Sequence, residues 1–346
     1  AVNKSAYRAL IKFSQKDIDF ICHFVEEKVE ELGMHEIQIP EMHNIVEGAL
    51  EKVNPIVAKS YRDYRNYKQD FVQMLDEVYK KSQSIMYIGD KENSNTDSAL
   101  VSTKRSLIFN ELNKELYKKF FLTVEELQAI REGYIYIHDM SARRDTMNCC
   151  LFDVKSVLTG GFEMGNLWYN EPKTLDTAFD VIGDIVLSAA SQQYGGFTVP
   201  SVDEILEPYA KRSHENHLNK YRSLGLSEEV AQEIAWKDLE KEMEQGFQGW
   251  EYKFNSVSSS RGDYPFITMT SGTDISEYGK LVTKTMLEVR AGGQGKPGHK
   301  KPVLFPKIVF LYDENLHGPG KPGEDLFEAG IECSRKTMYP DWLSLT

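Results

Sequence analysis

The chain has 346 residues, with 41 Lys and Arg against 53 Asp and Glu, a formal charge of −12, and 41% hydrophobic residues. That length supports about two domains with a substantial core, while the acidic balance works against a duplex-sized nucleic-acid footprint, which needs a clustered basic face. No apolar run approaches the ~20 residues of a membrane span, and Ala1-Val2-Asn3-Lys4 lacks the charged and apolar regions of a secretory signal, so a soluble cytoplasmic protein is expected.

The first stretch reads as helices. Ser14 is an N-cap with Asp17 three residues on, and Ile18, Ile21, Cys22, Val25, Val29 and Leu32 recur at helical spacing until Gly33 stops the run. A second helix runs from about Pro40 to near Pro55, and "IVAKSYRDYRNYKQDF" leads into a long polar and aromatic one. The domain reading is a helical module over 1–66, a linker helix and loop over 67–95, and a larger region over 96–346. The Ser/Asn/Asp-dense stretch Gly89 to Ser106 reads as the loop between them. Beyond it, helical patterns at about 106–119, 124–132, 174–192, 201–216, 228–246 and 276–289 alternate with β-like runs at Tyr134 to Ile137, Phe266 to Met269 and Val303 to Leu311. That alternation argues for an α/β fold. The helix from Thr174 carries a wide apolar stripe from Leu175 to Ala190, which fits either a core helix or a face packed on a second copy.

Four cysteines, Cys22, Cys149, Cys150 and Cys333, are too few and too scattered for a disulfide framework and are expected as reduced thiols. Any one of them can be a small buried hydrophobe, and this is the reading for Cys22. The adjacent pair Cys149-Cys150 beside Asn148 points to redox or radical work, since no further Cys or His lies at metal-ligand spacing and no metal site is assigned. Along an extended segment the two thiols point to opposite faces, so only one can enter a given pocket. His138-Asp139, at the end of a short apolar run, is either a functional pair or a pair that satisfies backbone groups. "RAGGQGKPGHKKP" (Arg290 to Pro302) fails the Walker pattern and reads as a surface loop, with a triphosphate contact through backbone N–H groups as the alternative. "GPGKPG" (Gly318 to Gly323) is turn chemistry.

Taken together, "HDM…MNCCLFD…GGFEMGN…SQQYGGFTVPSVDEILEPYA", "FNS…SSSRGDYPF", "VLFPKIVF" and "ECSRKTMYPD" resemble the anaerobic class III ribonucleotide reductases, which are glycyl radical enzymes. The resemblance runs from about Glu92 to the end. Upstream, "IPEMHNIVEGAL…VAKSYRDYR" resembles the C-terminal half of the ATP-cone domain. The resemblance implies the N-terminal portion of a ten-stranded α/β barrel preceded by a partial ATP cone. It implies reduction of ribonucleoside triphosphates: a thiyl radical removes hydrogen from C3′, and a second cysteine supplies hydrogen as the 2′-hydroxyl leaves as water. Cys149 matches that second cysteine. His138 and Asp139 match the family's HD pair, with orientation or proton transfer as their role, and Glu288 is a further proton-transfer candidate. Asn148, Asn255 and Arg290 are carried over as substrate-binding positions, and Gln192, Gln193 and Tyr194 as part of an effector or dimer helix. ATP or dNTP effectors, a radical-SAM activating enzyme, and a homodimer are the implied cofactors and partners. No membrane or nucleic-acid partner is implied.

Four departures bear on this. The cone's N-terminal Lys-Arg-Asp-Gly segment is missing, which leaves its regulation by ATP and dATP open. The chain stops at Thr346, ahead of the family's Met-Gly-Cys-Arg loop, zinc site and glycyl radical, so an N-terminal fragment that does not turn over alone is expected. Tyr136 stands where the family often has His, and Leu287-Glu288-Val289-Arg290 stands where formate-using members carry Leu-Asn-x-Arg. The reductant is therefore formate or a thioredoxin-like dithiol. Cys333 lies upstream of the thiyl position and is not assigned to it. Acyl-cleaving glycyl radical enzymes place paired cysteines on the central loop and have no ATP cone, which argues against that class. The non-enzymatic alternative is a truncated nucleotide-binding or dimerising protein.

Overall fold

The computed structural model describes residues 2–33, 36–88, 97, 99–143, 146–259 and 262–346. It divides into two compact units, Ala1–Gln83 and Ser84–Thr346. Of the loop expected over Gly89 to Ser106, residues 89–96 and 98 lie outside the described residues, and the part from Val101 is a correction, being the start of a helix.

The first unit is helical: α1 (Val2–Arg8), α2 (Gln15–Leu32), α3 (Ile39–Val53) and the start of α4 (Pro55–Ile88). At the head of α2, Ser14 and Asp17 form the reciprocal box that the sequence encodes, and Gly33 closes the helix in the left-handed region at φ 55°. Hydrogen bonds from the Ser14 hydroxyl and N–H hold the Asp17 carboxyl below its ordinary range. Ala6, Ile21, Ala49, Leu50, Val57, Ala58 and Tyr61 form the unit's own core. Cys22 is a correction: it is exposed, one position off the buried Ile21 stripe.

The second unit opens with α5 (Val101–Phe121) and α6 (Val124–Arg131). The strand expected at Tyr134 to Ile137 does not form. The Tyr134 N–H turns back to the Ala129 carbonyl as part of the α6 terminus, and the segment continues without a ladder partner. There follow β1 (Cys150–Leu151), α7 (Val154–Leu158), the β2 (Phe162–Met164) and β3 (Leu167–Tyr169) hairpin, α8 (Leu175–Ala190), β4 (Phe197–Val199), α9 (Val202–Ser223) and α10 (Glu228–Ser256). Then come β5 (Ile267–Ser271), α11 (Glu277–Gly292), β6 (Lys307–Tyr312), α12 (Glu314–His317), α13 (Glu324–Thr337) and β7 (Asp341–Ser344). The ladder of β6 begins later than the apolar run at Val303 because Pro306 has no N–H to donate.

The sheet is five-stranded and wholly parallel, in the order β1-β4-β5-β6-β7. Every strand therefore lies beside its predecessor in the sheet, with none of the order reversal of a doubly wound fold. Period-two alternation sorts its faces. Phe197, Val199, Ile267, Met269, Ile308 and Phe310 are buried under the helices, while Thr198, Thr268, Thr270, Val309 and Leu311 on the other face are only partly covered. Parallel sheets are ordinarily covered on both faces, so this second face is the unusual one.

The apolar stripe of α8 is spent inside the chain. Leu175, Ala178, Phe179, Ile182, Ile185 and Val186 are buried in the core, and the edge left outside is Asp176, Asp180 and Asp184. Phe179 lies where a Cβ on Gly246 of α10 would come within 2.2 Å, and its carbonyl accepts the Trp250 Nε1–H at 2.8 Å. Burial of such a ring contributes ~1.5–3 kcal/mol.

Candidate active site

The approach to β1 and the approach to β4 run side by side. Tyr194 donates its N–H to the Met147 carbonyl at 3.0 Å, Gly195 to Asn148 at 2.6 Å, and Cys150 to Gly196 at 3.1 Å. This pairing sets the two cysteines apart as alternation requires. Cys150 shares the helix-side face with its register partner Phe197 and packs on the core, whereas Cys149 is exposed. Leu151, two residues beyond Cys149, is 78% exposed. The Cys149 thiol thus belongs to the uncovered face.

That sulfur sits in a notch built from glycine. The Gly196 N–H donates to Cys149 Sγ at 3.2 Å, and a Cβ on Gly195 would lie 2.7 Å from both Cys149 Sγ and the Asn148 carbonyl oxygen. Beside it, Asn148 Nδ2 donates to Asp139 Oδ2 at 3.2 Å, and His138 Nε2 lies 3.5 Å from the same oxygen. Asp139 adopts φ 52°, a left-handed conformation that Asp tolerates better than most residues. The His138 ring is 77% exposed, with Tyr136 6.3 Å away ring to ring. Three of the expected residues, His138, Asp139 and Asn148, therefore form one connected series of imidazole, carboxylate and amide, and Cys149 follows Asn148 in the chain with its thiol on the Gly196 N–H. Such a set can hold a hydroxylated ligand, move a proton, and present an S–H.

Behind the notch, the Cys150 S–H donates to Gln193 Oε1 at 2.9 Å. Burial and the neighbouring Cys149 push the Cys150 thiol up, which favours the protonated donor. Gln192, Gln193 and Tyr194 are corrected in place: α8 ends at Ala190, and the three occupy the turn into β4, where Gln193 is buried against Cys150. The Ser141 hydroxyl reaches the Tyr194 hydroxyl at 3.4 Å. The sequence reading took Gly195-Gly196 as a helix stop and missed the notch. The signal available was the glycine pair itself, which allows backbone to approach a side chain closely.

Three expected residues lie elsewhere, and no hydrogen bond or ion pair joins them to Cys149 among the described residues. Arg290 is fully buried in the helix layer. Its Nε donates to Glu251 Oε1 at 2.7 Å and its Nη2 to the Pro306 carbonyl at 2.7 Å. Asn255 clamps Phe305, donating to its carbonyl at 2.6 Å and accepting its N–H at 3.1 Å. Helical period turns Glu288 outward between inward-facing Leu287 and Arg290, into a cleft of ≈ 710 Å³ with Lys241, Lys300 and Gln294. Glu288 thus lines a cleft on the helix layer, apart from the residues around the Cys149 thiol. Cys333 is buried on α13, and burial raises its thiol pKa. The Gly-rich segment is a pinned hairpin: Gln294 and Lys301 exchange backbone hydrogen bonds at 2.8 and 2.9 Å.

The profile of the anaerobic ribonucleoside-triphosphate reductase family matches residues 92–346, and that of the ATP cone domain matches residues 1–70. The chain belongs to the anaerobic ribonucleoside-triphosphate reductase family. Relatives carrying that name include the Haemophilus influenzae protein, 32% identical over 94% of this chain and 47% of the relative. The Escherichia coli protein is 30% identical over 99% of this chain and 49% of the relative, and the phage T4 protein 34% identical over 73% and 42%. The chain thus spans about half the length of the curated relatives it matches. Among solved structures, the anaerobic ribonucleotide reductase of Thermotoga maritima with glycerol in the active site aligns with TM-score 0.57 at 16% identity, over 82% of this chain and 50% of that one. The same enzyme in complex with dATP and CTP aligns with TM-score 0.51 at 15% identity, over 81% and 49%. At those identities the likeness establishes the α/β fold.

Proposed function

We propose that this chain forms the Cys149-bearing part of a reductase that converts ribonucleoside triphosphates to deoxyribonucleoside triphosphates for DNA synthesis. The observation that carries the reading is the exposed Cys149 thiol, held by the Gly196 N–H at the edge of a parallel sheet, directly after Asn148, whose amide is joined to Asp139 and His138. The ribose lies against that face, closed over by the second half of a ten-stranded barrel. An enclosed site keeps water from a reactive sugar intermediate, and holding the ribose at the thiol supplies much of the rate through placement. The glycyl radical, when present, would supply the oxidising equivalent that turns a cysteine other than Cys149 into the thiyl radical that abstracts hydrogen from C3′; no residue of this chain is assigned to carry it or the zinc. Among the described residues no group of three or more His, Cys, Asp or Glu is placed to hold a metal.

The residues of this chain orient the sugar and hand on hydrogen. Asn148 and Asp139 hold the ribose hydroxyls, and His138 relays the proton that leaves with the 2′-hydroxyl as water. At Cys149 the S–H bond breaks as a C–H bond forms at C2′, and formate or a thioredoxin-like dithiol supplies the two electrons. ATP or dNTP effectors at the cone, a radical-SAM activating enzyme, a homodimer and a cytoplasmic location complete the reading.

In the full-length protein, activated anaerobically, Cys149→Ser is expected to bind substrate and form the glycyl radical yet make no deoxynucleotide. Product formation at the wild-type rate would remove Cys149 from the mechanism.

A further inference from the structure

We propose that Gln193 is the positioning residue for the Cys149 sulfur, acting through the Gly195-Gly196 turn; this rests on the reading of Cys149 as the hydrogen donor. Gln193 is 4% exposed, and its amide ties the turn at one end to Cys150 of β1 at the other. Nε2 donates to the Gly196 carbonyl at 2.7 Å and to the Gly195 carbonyl at 3.2 Å, while Oε1 accepts the Cys150 S–H at 2.9 Å. The Gly196 peptide is thereby fixed on both sides. Its carbonyl takes hydrogen bonds from Gln193 and from the Cys150 N–H, and its N–H ends on Cys149 Sγ.

The geometry makes the turn, rather than the Cys149 side chain, the element that sets where the sulfur lies. Cys149 is exposed, and among the described residues the hydrogen bond at its sulfur comes from backbone. What holds it is the Gly196 N–H at 3.2 Å and the backbone of Gly195 pressed against it. Two consecutive glycines are intrinsically soft, so a turn made of them keeps one conformation only if something else clamps it. Gln193 is that clamp. Hydrogen transfer between sulfur and carbon demands sub-ångström placement, and misplacing a reacting group by about 1 Å costs on the order of 100-fold. Cys150 thus acquires a role distinct from that of Cys149: its thiol faces the helix layer and holds the Gln193 amide in register.

Two substitutions separate the arms of the clamp. Gln193→Met keeps the side-chain volume and removes every hydrogen bond; Gln193→Glu keeps the acceptor for the Cys150 thiol and removes the N–H donors to the turn. In this chain, amide exchange at Gly196 is expected to accelerate by about 5–10-fold in both variants, the loss of a hydrogen bond of roughly 1 kcal/mol, while exchange in the middle of α8 is unchanged. The infrared S–H band of Cys150, assigned with Cys150→Ala, is expected to move to higher frequency in Gln193→Met only. In the full-length reductase both variants should lower kcat by about tenfold or more, with KM for the ribonucleotide within about twofold. Unchanged Gly196 exchange, or exchange that rises equally throughout α8, overturns the proposal, as does an unchanged kcat. If Cys149→Ser itself retains turnover, the reading of Cys149 has failed instead, and the exchange and infrared results still decide whether Gln193 clamps the turn.

Discussion

Two polar clusters in the second unit invite the same sequence reading and are built on opposite principles. Arg290, Glu251, Asn255 and Gln294 are joined inside the helix layer: a guanidinium fully buried on a carboxylate, with Gln294 Nε2 donating to the second carboxylate oxygen at 2.6 Å. Asn148 and Cys149 lead into the edge strand β1, Asp139 and His138 are joined to them through the Asn148 amide, the His138 side chain is 77% exposed, and the Cys149 thiol accepts the Gly196 N–H. In the first, Arg290 Nε and Nη2 and both Glu251 oxygens are paired within the layer, while Arg290 Nη1 is buried without a hydrogen-bond partner among the described residues, and burial closes the cluster to solvent. In the second, hydrogen-bonding capacity is left over, which is what a binding surface needs. The first cluster is enclosed by the helix layer, and the second reaches solvent through the His138 ring.

The largest effect expected from breaking this contrast is in the buried cluster. Arg290→Met strands the Glu251 carboxylate in the core with Gln294 as its remaining side-chain partner, at a cost of ~3–5 kcal/mol in unfolding free energy by denaturant titration. The double variant Arg290→Met/Glu251→Leu should recover most of that loss, because the stranded charge is gone. A single-variant cost under about 1 kcal/mol would mean that Arg290 is free enough to serve a ligand after all.

At the open cluster, Gly195→Ala meets the Asn148 carbonyl oxygen and Cys149 Sγ at 2.7 Å, and the backbone cannot yield cheaply. A loss of ~1–3 kcal/mol is expected, with the sulfur displaced in a crystal structure of the variant. Gly249→Ala serves as the control. Its Cβ meets nothing within 4 Å on an exposed stretch of α10, so a gain of ~0.5–1 kcal/mol is expected from helix propensity. Equal thermal shifts for the two would show that the notch is not tight.

The helices were legible because their signals are local: the Ser14 and Asp17 box, the Gly33 stop, and the stripe from Leu175 to Ala190 all act within a few residues. The opposed directions of Cys149 and Cys150 followed from strand alternation alone. What the sequence does not carry is partnership across the chain. Gln193 bonding to Cys150, or Asn255 clamping Phe305, joins residues 43 and 50 positions apart. Arg290 and Glu288 show the same limit on one helix, since a motif names both while the helical period buries one and exposes the other. Tyr134 to Ile137 has the composition of a strand, but a strand needs a neighbour to pair with, and here it finds none among the described residues.

The smallest effect is expected at the His138-Asp139 pair. At 3.5 Å and with the imidazole mostly in water, the contact is expected to contribute little to folding, within about 0.5 kcal/mol as for exposed polar pairs. Asp139→Ala should cost more than His138→Ala, roughly 1–2 kcal/mol, because it removes the acceptor for Asn148 Nδ2 and places a residue with a Cβ but no local hydrogen bond at φ 52°. His138→Ala/Asp139→Ala measured against both single variants should then give a coupling energy near zero in the unfolding titration. A coupling above about 1 kcal/mol would make the pair structural, like Arg290 and Glu251, and would remove the distinction on which its assignment to the substrate face depends. A near-zero coupling means that the fold does not require His138 and Asp139 to meet, as their proposed role toward substrate needs.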